Sequence, residues 1–78
     1  MQHYLILYGT PDCHLCHDAR ELLQQLQREY TFTFDEVNIL TDNMLAEKYR
    51  YTVPVIMIDS QTELVAPITE RELRAVLQ

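Results

Sequence analysis

The chain has 78 residues, 47% of them hydrophobic and 23% charged. That is one small domain, predicted to span 1–78, with enough apolar material for a single core. Twelve acidic residues against six basic ones give a net charge of −6, and Arg20, Arg28, Lys48, Arg50, Arg71 and Arg74 form no cluster. A nucleic-acid or anionic-membrane surface needs grouped cations, so neither partner is expected. No apolar run approaches the ~18 residues of a membrane span. The start Met1-Gln2-His3-Tyr4 has no basic, signal-like region. A cytoplasmic monomer is the expectation.

Residues 4–8, Tyr-Leu-Ile-Leu-Tyr, are continuously apolar and rich in β-formers. This predicts a strand buried on both faces. Gly9, the single glycine, and Pro11 break it. A lone glycine at such a break serves either a positive φ or a close approach of another group. Leu15, Ala19, Leu22, Leu23, Leu26 and Tyr30 then recur at helical spacing, opposite Asp18, Glu21, Gln24, Gln25 and Arg28. Residues 32–39 read as a second strand, with Phe32 and Phe34 on one face and Val37 and Ile39 on the other. Thr41 is the expected N-cap of a short helix carrying Leu45 and Tyr49. Residues 53–58 form a third strand with Pro54 near its start, where a lost donor is tolerable. Residues 59–62 turn, 63–66 make a fourth strand, and Pro67 ends it. Thr69 and Glu72 have capping-box spacing ahead of Leu73, Val76 and Leu77 on a last helix. The order is β-α-β-α-β-β-α, an α/β fold with a right-handed crossover at its start and a four-stranded mixed sheet. Tyr8, Tyr30, Tyr49 and Tyr51 are expected as packing residues with their hydroxyls at the rim.

The chemistry centres on Cys13-His14-Leu15-Cys16, the chain's two cysteines, placed after a strand and at a helix start. Thiols three residues apart close almost no loop, so their disulfide adds little through chain entropy. A helix N-terminus offers unpaired N–H groups and positive potential, which stabilise a thiolate on the first cysteine. The second cysteine, one turn on, is placed to attack the mixed disulfide that the first one forms. Cys13 is therefore the expected nucleophile and Cys16 the resolving thiol. Asp12 could cap the helix, where its charge would oppose thiolate formation, and an imidazolium at His14 would favour it.

Thr10-Pro11-x-Cys13-x-x-Cys16 opening a helix, followed by Thr52-Val53-Pro54 opening a strand, resembles the thioredoxin-like fold in its compact glutaredoxin form. The wording T-P-x-C-H-L-C is similar to a family of small glutaredoxin-like domains, and so is the stretch Ala46-Glu47-Lys48-Tyr49-x-Tyr51-Thr52-Val53-Pro54-Val55. The resemblance covers essentially the whole chain. It implies helices on both faces of the sheet and a cis Pro54 beside Cys13. It also implies that Thr52, Val53 and Pro54 form a wall where an extended substrate pairs with the Val53 backbone. The expected function is thiol–disulfide exchange on a disulfide-containing protein or a small thiol. No cofactor is expected.

Glutathione is the electron donor such a resemblance suggests, and three departures speak against it. Thr10 stands where a basic residue often precedes the first cysteine. Ala66-Pro67-Ile68-Thr69 occupies the region of the Gly-Gly pair that helps hold glutathione. The acidic net charge adds mild repulsion. Two rival chemistries use the same cysteines. Cys13-x-x-Cys16-His17 also spells a haem-attachment signature, but haem attachment normally follows export and the element order is not that of a helical cytochrome. Met44 and Met57, the conceivable axial partners, read as helix and core residues. A zinc or iron–sulfur carrier is the stronger rival, although one C-x-x-C supplies only half of a four-ligand site. His14 and His17 otherwise face solvent in the first helical turn.

Overall fold

The structure is a computed structural model and describes residues 2–78. Met1, counted in the expected 1–78 domain, lies outside the described residues. The order is β1 (His3–Gly9), α1 (His14–Leu26), β2 (Phe32–Asn38), a 3-10 turn (Ile39–Thr41), α2 (Asn43–Tyr49), β3 (Val55–Ile58), β4 (Thr62–Val65) and α3 (Glu70–Leu77). The sheet order is β2-β1-β3-β4. β1 and β2 run parallel, whereas β1–β3 and β3–β4 are antiparallel. This is the thioredoxin-like arrangement expected from the sequence.

Side-chain alternation in β1 divides the core in two. Leu5 and Leu7 point to the face covered by α1 and α3, where they pack with Ala19, Leu23, Leu26, Phe32, Ile56, Ile58, Leu73 and Leu77. The opposite face carries a smaller cluster of Ile39, Tyr49 and Val55, with Tyr8, Leu45 and Val53 against it. Tyr8 and Tyr49 stack at 4.9 Å there, and the Tyr49 hydroxyl donates to the Glu63 carboxylate at 2.8 Å. Burial, followed by that carboxylate, pushes the Tyr49 pKa up to about 12.

Several local expectations are corrected. β1 is not buried on both faces: α2 has seven residues, ~10 Å of helix, and covers only the end of the sheet near Tyr8. Tyr4 therefore stays exposed, with its hydroxyl donating to Asp35 at 2.8 Å. Asp42, not Thr41, caps α2, accepting from the Met44 and Leu45 amides at 2.8 and 3.2 Å. The Thr41 hydroxyl is instead bonded to the Asn38 carbonyl at 2.7 Å, closing the preceding 3-10 turn. α1 ends at Leu26, so Tyr30 sits beyond the helix in a turn whose amide returns to the Leu26 carbonyl. Leu15, placed on the apolar stripe, is 57% exposed. Tyr51 is 89% exposed, with the Arg50 guanidinium 5.9 Å from its ring centroid, and is not a packing residue. β3 starts at Val55 rather than 53, and β4 spans Thr62–Val65 rather than 63–66.

The β3–β4 turn places Asp59 and Ser60 at φ 52° and 59°, the left-handed region that short polar residues tolerate best. The Asp59 carboxylate also accepts the Tyr4 amide at 2.8 Å and pairs with the His3 imidazole. These bonds, His3 first, hold its pKa below the ordinary carboxylate value. A lowered folded pKa means stability that is present above the unfolded value of about 3.9 and lost as pH falls through the folded one. Asp59→Asn should therefore flatten the acid side of the stability–pH curve, below about pH 4, as read by urea unfolding at stepped pH.

Candidate active site

The parallel strands β1 and β2 end together at the Gly9–Asn38 pair; Cys13 lies between β1 and α1, and Cys16 in the first turn of α1. The Cys13 amide donates to the Thr10 carbonyl at 3.2 Å, closing a turn over Thr10-Pro11-Asp12-Cys13. That turn makes Cys13 itself the N-cap of α1: its φ/ψ are −87°/109°, and its Sγ accepts the Cys16 amide at 3.1 Å. Asp12 is exposed and outside the helix, so the expectation that it caps α1 is corrected.

Cys13 and Cys16 form a disulfide, with Cα atoms 5.1 Å apart. The two sulfurs sit in different surroundings. Cys13 is half-exposed, whereas Cys16 is 4% exposed and packs on the backbone of Gly9. A Cβ at Gly9 would lie 2.8 Å from Cys16 Sγ and 3.0 Å from Cys16 Cβ. Gly9 has no positive φ, so close approach is what requires glycine there.

Thr52, Val53 and Pro54 follow α2. The Thr52 and Val53 amides both donate to the Tyr49 carbonyl, at 3.0 and 3.1 Å. The Val53–Pro54 and Ala66–Pro67 peptide bonds are cis. β1 and β3 pair Tyr8 with Val55 at this end, so the same register one residue on sets Pro54 across from Gly9, against which Cys16 packs. Pro54 is buried, and it lines a cleft together with Leu15 of the first turn of α1.

The histidines diverge. The His14 imidazole is 88% exposed and lies 3.6 Å from the Asp18 carboxylate. His17 is half-buried rather than solvent-facing, its Nε2–H donating to the Pro11 carbonyl at 2.9 Å, which braces the turn before Cys13. Sequence reasoning missed this brace, which joins residues six apart across the start of α1. It also missed a cleft of about 190 Å³ between α1 and the β4–α3 connection, whose walls include Leu22, Ala66 and Ile68. Among the described residues, no three or more His, Cys, Asp or Glu side chains are grouped to hold a metal ion. No helix among them is long and apolar enough to cross a membrane.

A thioredoxin-like fold with a disulfide at the β1–α1 junction defines the class. A family model described as "Glutaredoxin-like domain (DUF836)" matches residues 4–78, and the chain belongs to that family. The protein XcR50 of X. campestris, solved by X-ray, is similar at 41% identity with a TM-score of 0.77, covering 94% of this chain and 93% of that one. Protein Ne2328 of Nitrosomonas europaea is 28% identical with a TM-score of 0.84, covering 97% and 92%. A mutant thioredoxin from Halobacterium salinarum NRC-1, at 18% identity and a TM-score of 0.77, covers 96% of this chain and 71% of that one and shares the fold. No curated protein matches the chain.

Proposed function

We propose that the protein is a dithiol–disulfide oxidoreductase in which Cys13 attacks and Cys16 resolves. The observation that carries this reading is the contrast between the two sulfurs. Cys13 Sγ sits at the N-cap of a 13-residue helix and accepts an amide there, an environment that favours a thiolate through N–H donors and the helix dipole. Cys16 lies beneath it, out of a substrate's reach but within bonding distance of Cys13.

In the proposed cycle the Cys13 thiolate attacks one sulfur of a substrate disulfide. A Cys13–substrate bond forms as the substrate S–S bond breaks, and the departing thiolate takes a proton. The Cys16 thiolate then attacks Cys13 Sγ, releasing the second substrate thiol and leaving the Cys13–Cys16 disulfide. Two electrons pass to the substrate, and a thiol reductant in the cytoplasm resets the pair. Thr52, Val53 and Pro54 line the approach. The Val53 amide is already bonded to Tyr49, and no backbone amide among the described residues donates to its carbonyl; that carbonyl is the group assigned to pair with an extended substrate. His14 would act on Cys13 only through its charge.

Equilibrating the protein with glutathione buffers of known poise tests the reading. The expected result is one reversible two-electron transition, between about −270 and −120 mV, with about 30 mV per tenfold change in the equilibrium constant. A pair that never exchanges with the buffer would overturn it.

A further inference from the structure

We infer that the cleft beside the cysteine loop receives one apolar side chain of a polypeptide disulfide and discriminates against an anionic disulfide such as that of glutathione. This rests on the exchange reaction proposed above and names its substrate class.

The cleft adjoins the cysteine pair: Leu15, between the two cysteines in the first turn of α1, forms one wall, and Pro54 another. Leu22, Ala66 and Ile68 continue the lining. Leu15 is largely exposed, which leaves apolar surface open where a substrate bonded to Cys13 would lie. The volume is about 190 Å³. A cavity of about 150 Å³ holds a benzene molecule, so the cleft takes one aromatic or branched aliphatic side chain.

Charge supports the same occupant. The cleft's single ionisable lining residue is Asp18, and no Lys or Arg lines it. The nearest backbone anion site would be the N-terminus of α3, just after Ile68. Two of its amides are already taken by the chain itself: the Thr69 hydroxyl accepts the Glu72 amide at 3.1 Å, and the Glu72 carboxylate accepts the Thr69 amide at 3.2 Å. Glu70 and Glu72 stand in the same turn with Arg71 between them, and Glu70 is paired with Arg74 at 2.8 Å. Two of the amides with which this helix start could have bound a substrate carboxylate are therefore already used within the chain. A neutral, apolar neighbour of the substrate cysteine needs no such amide and gains burial.

Single-turnover reduction by the reduced protein tests this. The disulfides are those of N-acetylated, amidated dipeptides in which Leu, Phe, Gly or Glu stands on either side of cysteine, together with glutathione disulfide. Leu and Phe should react roughly tenfold or more faster than Glu or glutathione disulfide, with Gly between. Ala66→Leu, which fills the cleft, and Ile68→Glu, which charges it, should each bring the Leu and Glu rates together while circular dichroism shows the fold retained. Equal rates for all disulfides overturn the inference and leave the exchange reading intact. A second measurement does not depend on turnover: amide shifts of the oxidised protein titrated with the same dipeptides carrying Ser for Cys. Shifts at Leu22 and Ile68 for Leu but not Glu peptides, with no exchange in the first experiment, would overturn the exchange reading and keep the cleft. Shifts at neither residue, with equal rates, remove the cleft altogether.

Discussion

Cys13→Ser is expected to reduce disulfide exchange to the uncatalysed rate, whereas Cys16→Ser should still attack and then stall as a mixed disulfide. The two residues share a motif and a bond but not an environment. Cys13 is half-exposed at the N-cap, with the Cys16 amide donating to its sulfur at 3.1 Å. A charge-assisted bond of this kind is worth about twice a neutral one. In the proposed cycle such a bond favours a Cys13 thiolate and gives the buried Cys16 sulfur no comparable donor. Mass spectrometry after mixing with a peptide disulfide distinguishes the variants: an adduct on Cys16→Ser and none on Cys13→Ser. In the reduced wild type, iodoacetamide near neutral pH should alkylate Cys13 first. Adducts accumulating on Cys13→Ser instead would reverse the roles.

Gly9→Ala carries the largest expected structural effect of any single methyl addition at the site. The added carbon would meet Cys16 Sγ at 2.8 Å and its Cβ at 3.0 Å. Gly9 is buried in β1 and paired with Asn38, so neither strand nor helix can yield without breaking the ladder or lifting α1. Overpacking of this sort costs about 1–3 kcal/mol. An opposing ~0.4–1 kcal/mol comes from the stiffer unfolded chain, because the backbone here is compatible with alanine. Urea unfolding of the reduced protein measures the net loss. Cys16→Ala removes the nearer of the two contacts, so the double variant should be more stable than the sum of the single losses predicts, with a coupling of about 0.5–3 kcal/mol. Strict additivity would mean that the Gly9–Cys16 approach is not what requires glycine.

The sequence alone settles the reactive motif and most of the fold around it, because those features depend on near neighbours in the chain. A β-rich run cut by Gly9 and Pro11, two cysteines one turn apart, and Thr69 with Glu72 each specify a local geometry. The cysteines at the helix start and the capping box, with both of its bonds, stand in the structure as read, whereas β1 runs on through Gly9, which pairs with Asn38 instead of breaking it. The resemblance to glutaredoxin-like domains was legible for the same reason, in T-P-x-C-H-L-C and T-V-P. Where two nearby polar residues compete for one cap, local reading chose wrongly: Asp12 and Thr41 gave way to Cys13 and Asp42. In each case a turn closed by a backbone carbonyl, Thr10 or Asn38, decided which residue entered the helix.

Only the tertiary structure decided which apolar residues stay outside. Leu15 and Tyr51 fit a helical stripe and an aromatic core by pattern, yet both are exposed, because no element passes over the ends of α1 and α2 where they sit. The cleft is the same kind of fact. Leu22 and Ile68 lie far apart in the chain and meet because α1 and α3 cover one face of the sheet together. Periodicity reports that a side chain is apolar and which way it turns from its own helix; what stands opposite, or fails to, is set by how the sheet brings distant segments together.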